Sequence, residues 1–364
     1  MKSRIVLGLI MGSILLAIFG VSPQHRAYML QTNTGNNLFP AWSPDGRYIA
    51  YASDADGNFD IWRLDVNNFE KLNLTQAMPD GAYSEPAWSP DGEYIAFTSN
   101  TEIWVIESDG SNPTKLELPV IDYVFSPQWS PDGRYIGFLS FEPAGGNVWI
   151  FDRDHSVASN ITNFGNPYLI IALPKWSPDS TKIAFSFIDN SKPIGQGGSQ
   201  IGVVDVTNLD ISLTSEYMYT PPNWSPDGKK LITVLTDLGS SDDELDSLVT
   251  LNSATLLVEN YLTDKQFSPS LVLASPVWSP DENLIIYTRL QENEEGVYDH
   301  DLWVMSANGS NHYQLTDFDD NEPQIPVWSP DAKQIAFQLL TVSGSDIWLI
   351  NADGSNPINL TGQE

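Results

Sequence analysis

The sequence predicts an all-β protein, a seven-bladed β-propeller of four-stranded antiparallel blades. Three observations carry this expectation. The motif Trp-Ser-Pro-Asp occurs seven times, beginning at Trp42, Trp88, Trp129, Trp176, Trp224, Trp278 and Trp328. Its period, roughly 40–50 residues, is that of one propeller blade. Within each period, short apolar runs alternate with turn residues, a pattern of strands rather than helices.

In the first unit, Phe39-Pro40-Ala41-Trp42 reads as a short strand, Ser43-Pro44-Asp45-Gly46 as a tight turn and Tyr48-Ile49-Ala50-Tyr51-Ala52 as the second strand. Asp60-Ile61-Trp62-Arg63-Leu64-Asp65 and Lys71-Leu72-Asn73-Leu74-Thr75 supply the third and fourth. In the turn, proline presets φ, aspartate bonds nearby backbone and glycine accepts the positive φ that closes the hairpin. Gly46, Gly92, Gly133 and Gly228 keep that glycine, whereas Ser180, Glu282 and Ala332 replace it. Those three hairpins are expected to be strained or to use another turn. A second reverse turn, Ser108-Asp109-Gly110-Ser111-Asn112 and its equivalents at Ala307–Asn311 and Ala352–Asn356, joins the third and fourth strands.

All tryptophans fall in two repeat columns: the seven that open the turn motif, and Trp62, Trp104, Trp149, Trp303 and Trp348 in the third strand. Aromatic residues at fixed blade positions most simply fill the space between packed sheets. Closure of the ring has two candidate strands for one place, Ala27–Gln31 and Pro357–Thr361. One should complete the outer edge of the last blade and the other should flank it or fray.

At the N-terminus, Lys2 and Arg4 precede an uncharged stretch from Ile5 to Val21. That is the layout of a secretory signal or a short membrane anchor, with the rest of the chain on the far side of the membrane. Residues 1–24 are therefore assigned to a signal peptide or membrane anchor and 25–364 to the propeller, at the periplasmic or extracellular face. The expected contact with membrane is through the N-terminal segment alone, and the propeller is expected to be monomeric.

The chain carries 17 Lys and Arg against 47 Asp and Glu, a formal charge of -30, and no cysteine. Such a surface repels phosphate backbones, so no nucleic-acid partner is expected. Disulfides, thiolate metal sites and thiol nucleophiles are excluded.

The series Pro-x-Trp-Ser-Pro-Asp-Gly, Ile-Ala-Phe, Asp-Ile-Trp, Asp-Gly-Ser-Asn and Leu-Thr resembles the WD-like repeat of the TolB-like propeller family over residues 39 to 361. The same repeat occurs in propeller domains of tricorn-type and prolyl-oligopeptidase-type peptidases, so it identifies a fold and not a job. The resemblance implies an adaptor that binds protein partners at the cell envelope. TolB itself has an α/β domain before a six-bladed ring. Here the repeats begin within about twenty residues of the apolar segment, so its partner-binding residues are not carried over. No Gly-x-Ser-x-Gly nucleophile elbow occurs.

Histidine is limited to His25, His155, His300 and His312, without metal-ligand spacing. No catalytic residue is assigned. The run Asp54-Ala55-Asp56-Gly57-Asn58-Phe59-Asp60 resembles part of a calcium loop, and Asp54, Asp56 and Asp60 are its candidate ligands. It lacks the closing bidentate Glu, and a hairpin between the second and third strands explains the same residues. Apart from that calcium site, no cofactor is expected.

Propeller wiring puts the hairpins between second and third strands on the same face as the links between blades. The acidic and irregular loops gather there. Asp237, Asp242, Asp243, Glu244, Glu292, Glu294, Glu295 and Asp299 are candidate partner-binding residues, since loops that break a regular repeat tend to carry binding. The rival expectation is a propeller enzyme of lyase, cyclase or hydrolase type, with a metal or acid-base site at the tunnel mouth using Asp60, His300 and Asp301.

Overall fold

The computed structural model describes residues 35–79, 81–99, 101–119, 121–142, 145–165, 168–170, 174–189, 199–215, 221–236, 246–263, 272–292, 298–318, 321–341 and 343–362. Their strands form seven antiparallel sheets, each built from one continuous stretch of chain. In blade 1 the strands Asn37–Trp42, Tyr48–Ser53, Asp60–Asp65 and Lys71–Asn73 lie side by side in sequence order. The other blades repeat this plan. In blade 4 the first strand is in two pieces, Tyr168–Ile170 and Lys175–Trp176, both paired with Lys182–Asp189.

First strands of consecutive blades touch one another around a closed circuit that returns from blade 7 to blade 1. They therefore line the axis. Fourth strands such as Lys71–Asn73, Thr114–Lys115 and Val258–Tyr261 are short, largely exposed and form the rim. Short outer strands leave little open edge for pairing with another chain.

The core is divided among the joints rather than gathered at one centre. Seven clusters of buried apolar side chains each straddle two neighbouring blades. In the cluster that closes the ring, Ile49, Tyr51 and Leu64 of blade 1 meet Ala336, Ile347 and Leu349 of blade 7. Second and third strands are covered on both faces, which is why they read as nearly continuous apolar runs.

Each motif turn is held by the same bonds. Ser43 Oγ donates to Asp45 Oδ1 (2.6 Å), Tyr48 N donates to Ser43 Oγ (2.8 Å) and Gly46 N to Ser43 O (2.9 Å). The Ser-to-Asp bond recurs in all seven blades. Gly46, Gly92, Gly133 and Gly228 have φ of 70–73°. Ser180, Glu282 and Ala332 adopt the same left-handed conformation, at φ 62°, 64° and 59°. The expected strain is thus present and the turn type is unchanged; a residue with a Cβ there costs roughly 1–2 kcal/mol. Ser180 gains something in return, since its Oγ accepts the Asp132 N–H of blade 3 at 3.0 Å.

The motif tryptophans bind the blades together. Trp88 Nε1 donates to Ala41 O (3.1 Å), Trp129 Nε1 to Ala87 O (3.1 Å) and Trp176 Nε1 to Gln128 O (3.1 Å), each reaching the first strand of the preceding blade. Trp224, Trp328 and Trp42 do likewise with Lys175, Val277 and Val327. Trp278 departs from this, because its buried Nε1 has no partner among the described residues. At that joint Asn223 Nδ2 donates to Pro276 O instead (2.9 Å).

Blade 7 takes all its strands from the C-terminal part of the chain, its outer strand being Ile358–Asn359. Of the two candidates for that place, Pro357–Thr361 supplies the strand; Ala27–Gln31 lies outside the described residues. Closure runs through contacts between sheets. Asn37 Nδ2 donates to Ser345 O (3.1 Å), Ser345 Oγ donates to Asn37 O (3.0 Å) and Trp42 spans to Val327. Residues 1–24, expected as signal or anchor, are also outside the described residues. Among those described, no helix is long and apolar enough to cross a membrane.

Candidate functional site

Because successive strands alternate in direction, one face of the ring carries the Ser-Pro-Asp turns and the turns between third and fourth strands. The other carries the second-to-third hairpins and the links between blades. Of the acidic residues expected to dock a partner on the hairpin face, Asp237, Asp242, Asp243, Glu244, Glu294 and Glu295 lie outside the described residues. Glu292 and Asp299 stand at the end of the blade 6 hairpin, where Gln291 is opposite Asp299 and Glu292 opposite Tyr298. The two strands of that hairpin, Leu284–Glu292 and Tyr298–Ser306, are nine residues each against six in blade 1. Blade 6 consequently reaches further on this face.

The calcium-loop carboxylates do not form a ligand set. Asp54 accepts the N–H groups of Gly35 (2.7 Å) and Asn36 (2.6 Å) and the Asn36 amide (2.8 Å), so it fastens the chain leading into blade 1. Asp56 is exposed and accepts Asn73 Nδ2 at 3.2 Å. Asp60 is buried, with Thr75 Oγ1 at 2.6 Å and Asn73 Nδ2 at 3.0 Å. Among the described residues no group of three or more His, Asp or Glu comes together in a way that could hold a metal ion.

Asp60 belongs to a recurring latch. The threonine that ends a unit accepts a third-strand N–H and donates to the acid or amide one residue before it in that strand. Thr75 does this with Ile61 and Asp60, Thr162 with Val148 and Asn147, Thr316 with Leu302 and Asp301, and Thr361 with Ile347 and Asp346. Asn73, Gln314 and Asn359 add an amide bond to the same carboxylates. Asp60 and Asp301, both considered for a tunnel-mouth site, are therefore committed to holding the outer strand. His300 is largely buried at 12% side-chain exposure, with Nδ1 3.3 Å from Glu322 Oε1. Glu322 is itself buried, although it lies in the acidic link between the last two blades, and it also accepts Gln324 Nε2 (3.3 Å).

Sequence reasoning missed a carboxylate near the axis. Proline interrupts the first-strand ladders, and the residue before it is turned to positive φ: Phe39 57°, Glu85 55°, Ser126 55° and Ile325 50°. Such bulges re-aim a side chain. Glu85 thereby reaches Ser126 of blade 3, accepting its N–H (2.8 Å) and hydroxyl (3.1 Å), with Thr98 Oγ1 at 3.3 Å. Burial pushes the Glu85 carboxyl above its ordinary value, while those hydrogen bonds hold it back. The charge is satisfied inside the protein.

The turn face is more uniform, as expected, but it holds a cavity of about 290 Å³ between blades 4 and 5. It is lined by Ser177, Asp179, Lys182, Trp224, Asp227 and Ser253, among others. Hydrogen bonds from Lys229 and Ser225 hold Asp227 down to about 2, and those from Ser177 and Thr181 lower Asp179. Both are ionised near neutral pH. One signal for this place is present in the sequence: Lys182 stands where the first three units have tyrosine.

The seven joints, the shared turn and the interblade tryptophans define a repeat propeller. A family model described as the TolB beta propeller domain matches residues 100–242. That matched stretch runs from blade 2 into blade 5 and is similar to the TolB beta propeller domain. An uncharacterized protein of Agrobacterium fabrum is 29% identical over 169 residues, 43% of this chain and 56% of that protein, so the chain spans about half the length of this relative. Among solved structures, the propeller domain of the Trilobed protease from Pyrococcus furiosus, described as having an open velcro topology, is similar with a TM-score of 0.63 at 14% identity. That match covers 91% of this chain and 97% of that one. An oligogalacturonate lyase in complex with manganese gives a TM-score of 0.65 at 15% identity, over 87% and 89% of the two chains. TolB from Acinetobacter baumannii gives 0.52 at 19% identity, over 84% and 77%. At these identities the likeness is one of fold.

Proposed function

We propose that this chain is a non-catalytic, exported interaction module that docks a protein partner at the cell envelope through the acidic hairpin face of blades 5 to 7. The observation that carries this reading is where the reactive groups are spent. The carboxylates considered for a tunnel-mouth site, Asp60 and Asp301, hold outer strands, and Glu85 and Glu322 are bonded inside the ring. What varies between blades is instead the hairpin face, where the repeat is interrupted by its longest acidic insertions. The similarity of residues 100–242 to the TolB beta propeller domain supports both a protein-binding role and an envelope location.

A face with excess negative charge attracts a partner of opposite sign and speeds encounter in a salt-dependent way. Reversing Asp242, Asp243 and Glu244 together to lysine should weaken capture of the partner from native extract, and the loss should shrink as salt is raised. Equal capture by the triple variant at low salt removes the basis for this reading.

A further inference from the structure

On the turn face the joints between blades are not alike. Tyr48, Tyr94 and Tyr135 stack on the motif tryptophan of the next blade, Trp88, Trp129 and Trp176, with ring centroids 6.4, 6.5 and 5.9 Å apart and planes within 25°. A guanidinium lies over each of these tyrosines: Arg63 at 4.3 Å from Tyr48, Arg153 at 5.3 Å from Tyr94 and Arg134 at 4.7 Å from Tyr135. The layers at these joints are therefore indole, phenol and cation.

Between blades 4 and 5 the phenol layer is missing. Lys182 holds the tyrosine's place in the repeat, and the next tryptophan is Trp224. Trp224 Nε1 still donates to Lys175 O at 2.9 Å, so its indole makes the same bond to the preceding blade as at the three stacked joints. A cation is present too, in Lys182. In place of the ring there is the cavity of about 290 Å³. Tyrosine is also absent at the other three joints, where Lys230, Leu284 and Gln334 hold its place. There Trp278 and Trp328 are only 9% and 7% exposed, while Trp42 is partly buried and faces the uncharged Gln334 position. A lysine and a cavity beside the indole therefore come together at the joint of blades 4 and 5. A cavity of ~150 Å³ is enough to take up benzene, so the volume here is sufficient for a phenol ring.

We propose that the joint between blades 4 and 5 is a binding site for a phenolic side chain, a tyrosine presented by a partner polypeptide, which stacks on Trp224 under the Lys182 ammonium and restores the layer that the three stacked joints supply from within. The polar wall suits the hydroxyl. Asp179 uses Oδ1 for Ser177 and for both the N–H and hydroxyl of Thr181, which leaves Oδ2 as an acceptor. Ser253 donates to Gly228 O (2.9 Å) and keeps its lone pairs. An aliphatic side chain or a sugar ring offers the ammonium no π face. This site lies on the opposite face from the acidic hairpins and stands or falls separately from that docking surface.

The test is titration of the ¹⁵N-labelled full chain with N-acetyltyrosinamide, following indole N–H resonances, with N-acetylleucinamide and methyl glucoside as comparisons. The Trp224 resonance should shift saturably with the tyrosine probe and not with the other two. Lys182→Tyr, which supplies the missing ring internally, should weaken binding at least tenfold. Ser253→Phe, which blocks the cavity from the blade 5 wall, should do the same and serves if Lys182→Tyr does not fold. No Trp224 shift up to the solubility limit, an equal shift with leucinamide or glucoside, or undiminished binding in a folded blocked variant overturns the proposal.

Discussion

Replacing Trp129 and Trp278 by phenylalanine makes the same chemical change in the same repeat column, and the structure predicts different costs. Both indoles are buried, at 8% and 9% exposure, so the loss of volume is comparable. Trp129 Nε1 donates to Ala87 O at 3.1 Å, and Ala87 is itself buried. Trp129→Phe leaves that carbonyl without its partner, a cost of about 1–3 kcal/mol. It also weakens the stack with Tyr94 and the contact with Arg153, 4.7 Å over the indole; an exposed cation–π contact contributes about 0.5–1 kcal/mol. Trp278 Nε1 is buried without a partner among the described residues, so Trp278→Phe removes an unsatisfied donor and recovers part of what the lost volume costs. The two variants should differ by about 2–3 kcal/mol, with Trp129→Phe the less stable. Parallel urea titrations followed by far-UV circular dichroism measure this, as a lower midpoint for Trp129→Phe at a similar slope. A Trp278→Phe midpoint at or below that of Trp129→Phe refutes the assignment of the indole hydrogen bond as the tie between blades.

Other consequences follow from the latch and the turns. Asp60→Ala removes the acceptor for Thr75 and Asn73 and should cost about 1.5–3 kcal/mol in thermal or urea unfolding, as for hydrogen bonds to a charged group. Asp60→Asn should cost less, since Asn147 already serves Thr162 in blade 3. If the two substitutions are equivalent, the latch does not hold the strand as described. The turn carboxylates set an acid limit. Asp227 and Asp331 are held at about 2 in the folded chain, against an ordinary 3.8, by Lys229 and Lys333 and by the motif serines. A depressed carboxylate stabilises the fold above its unfolded value, and that contribution is lost as pH falls through the folded one. Stability should therefore decline between pH 3.8 and about 2. Lys229→Ala with Lys333→Ala should flatten that decline, and a wild-type slope in the double variant contradicts the cause given. Glu85 acts in the opposite sense, because burial raises it. Its contribution is present at low pH and is lost as pH rises through its folded value, so Glu85→Gln should lessen the acid preference of unfolding midpoints measured from pH 4 upwards.

Features that depend on residues close in sequence are legible in the sequence alone. The Ser-Pro-Asp turn is closed by groups within five positions, so its seven copies, and the strain at Ser180, Glu282 and Ala332, can be read directly. Features that depend on two strands or two blades cannot. Asp60 looks like a calcium ligand because its neighbours Asp54 and Asp56 are also acids, while its true partner Thr75 is fifteen residues on, in another strand. Asp-Ile-Trp and Leu-Thr are both visible as repeat fragments, and only pairing reveals them as one device. His300 and Glu322 come from different blades, and burial between blades cannot be read from either residue alone. At the blade 4 and 5 joint the substitution of Lys182 for tyrosine is visible, but not that a tyrosine there stacks on the tryptophan of the next unit.

The docking reading is tested most directly by hydroxyl-radical footprinting of the chain, free and bound to the partner captured from native extract. Protection on the hairpin face of blades 5 to 7, over residues 237–246, 291–301 and 317–322, is the predicted result. Unchanged reactivity there, with protection on the turn face or around the axis instead, contradicts it.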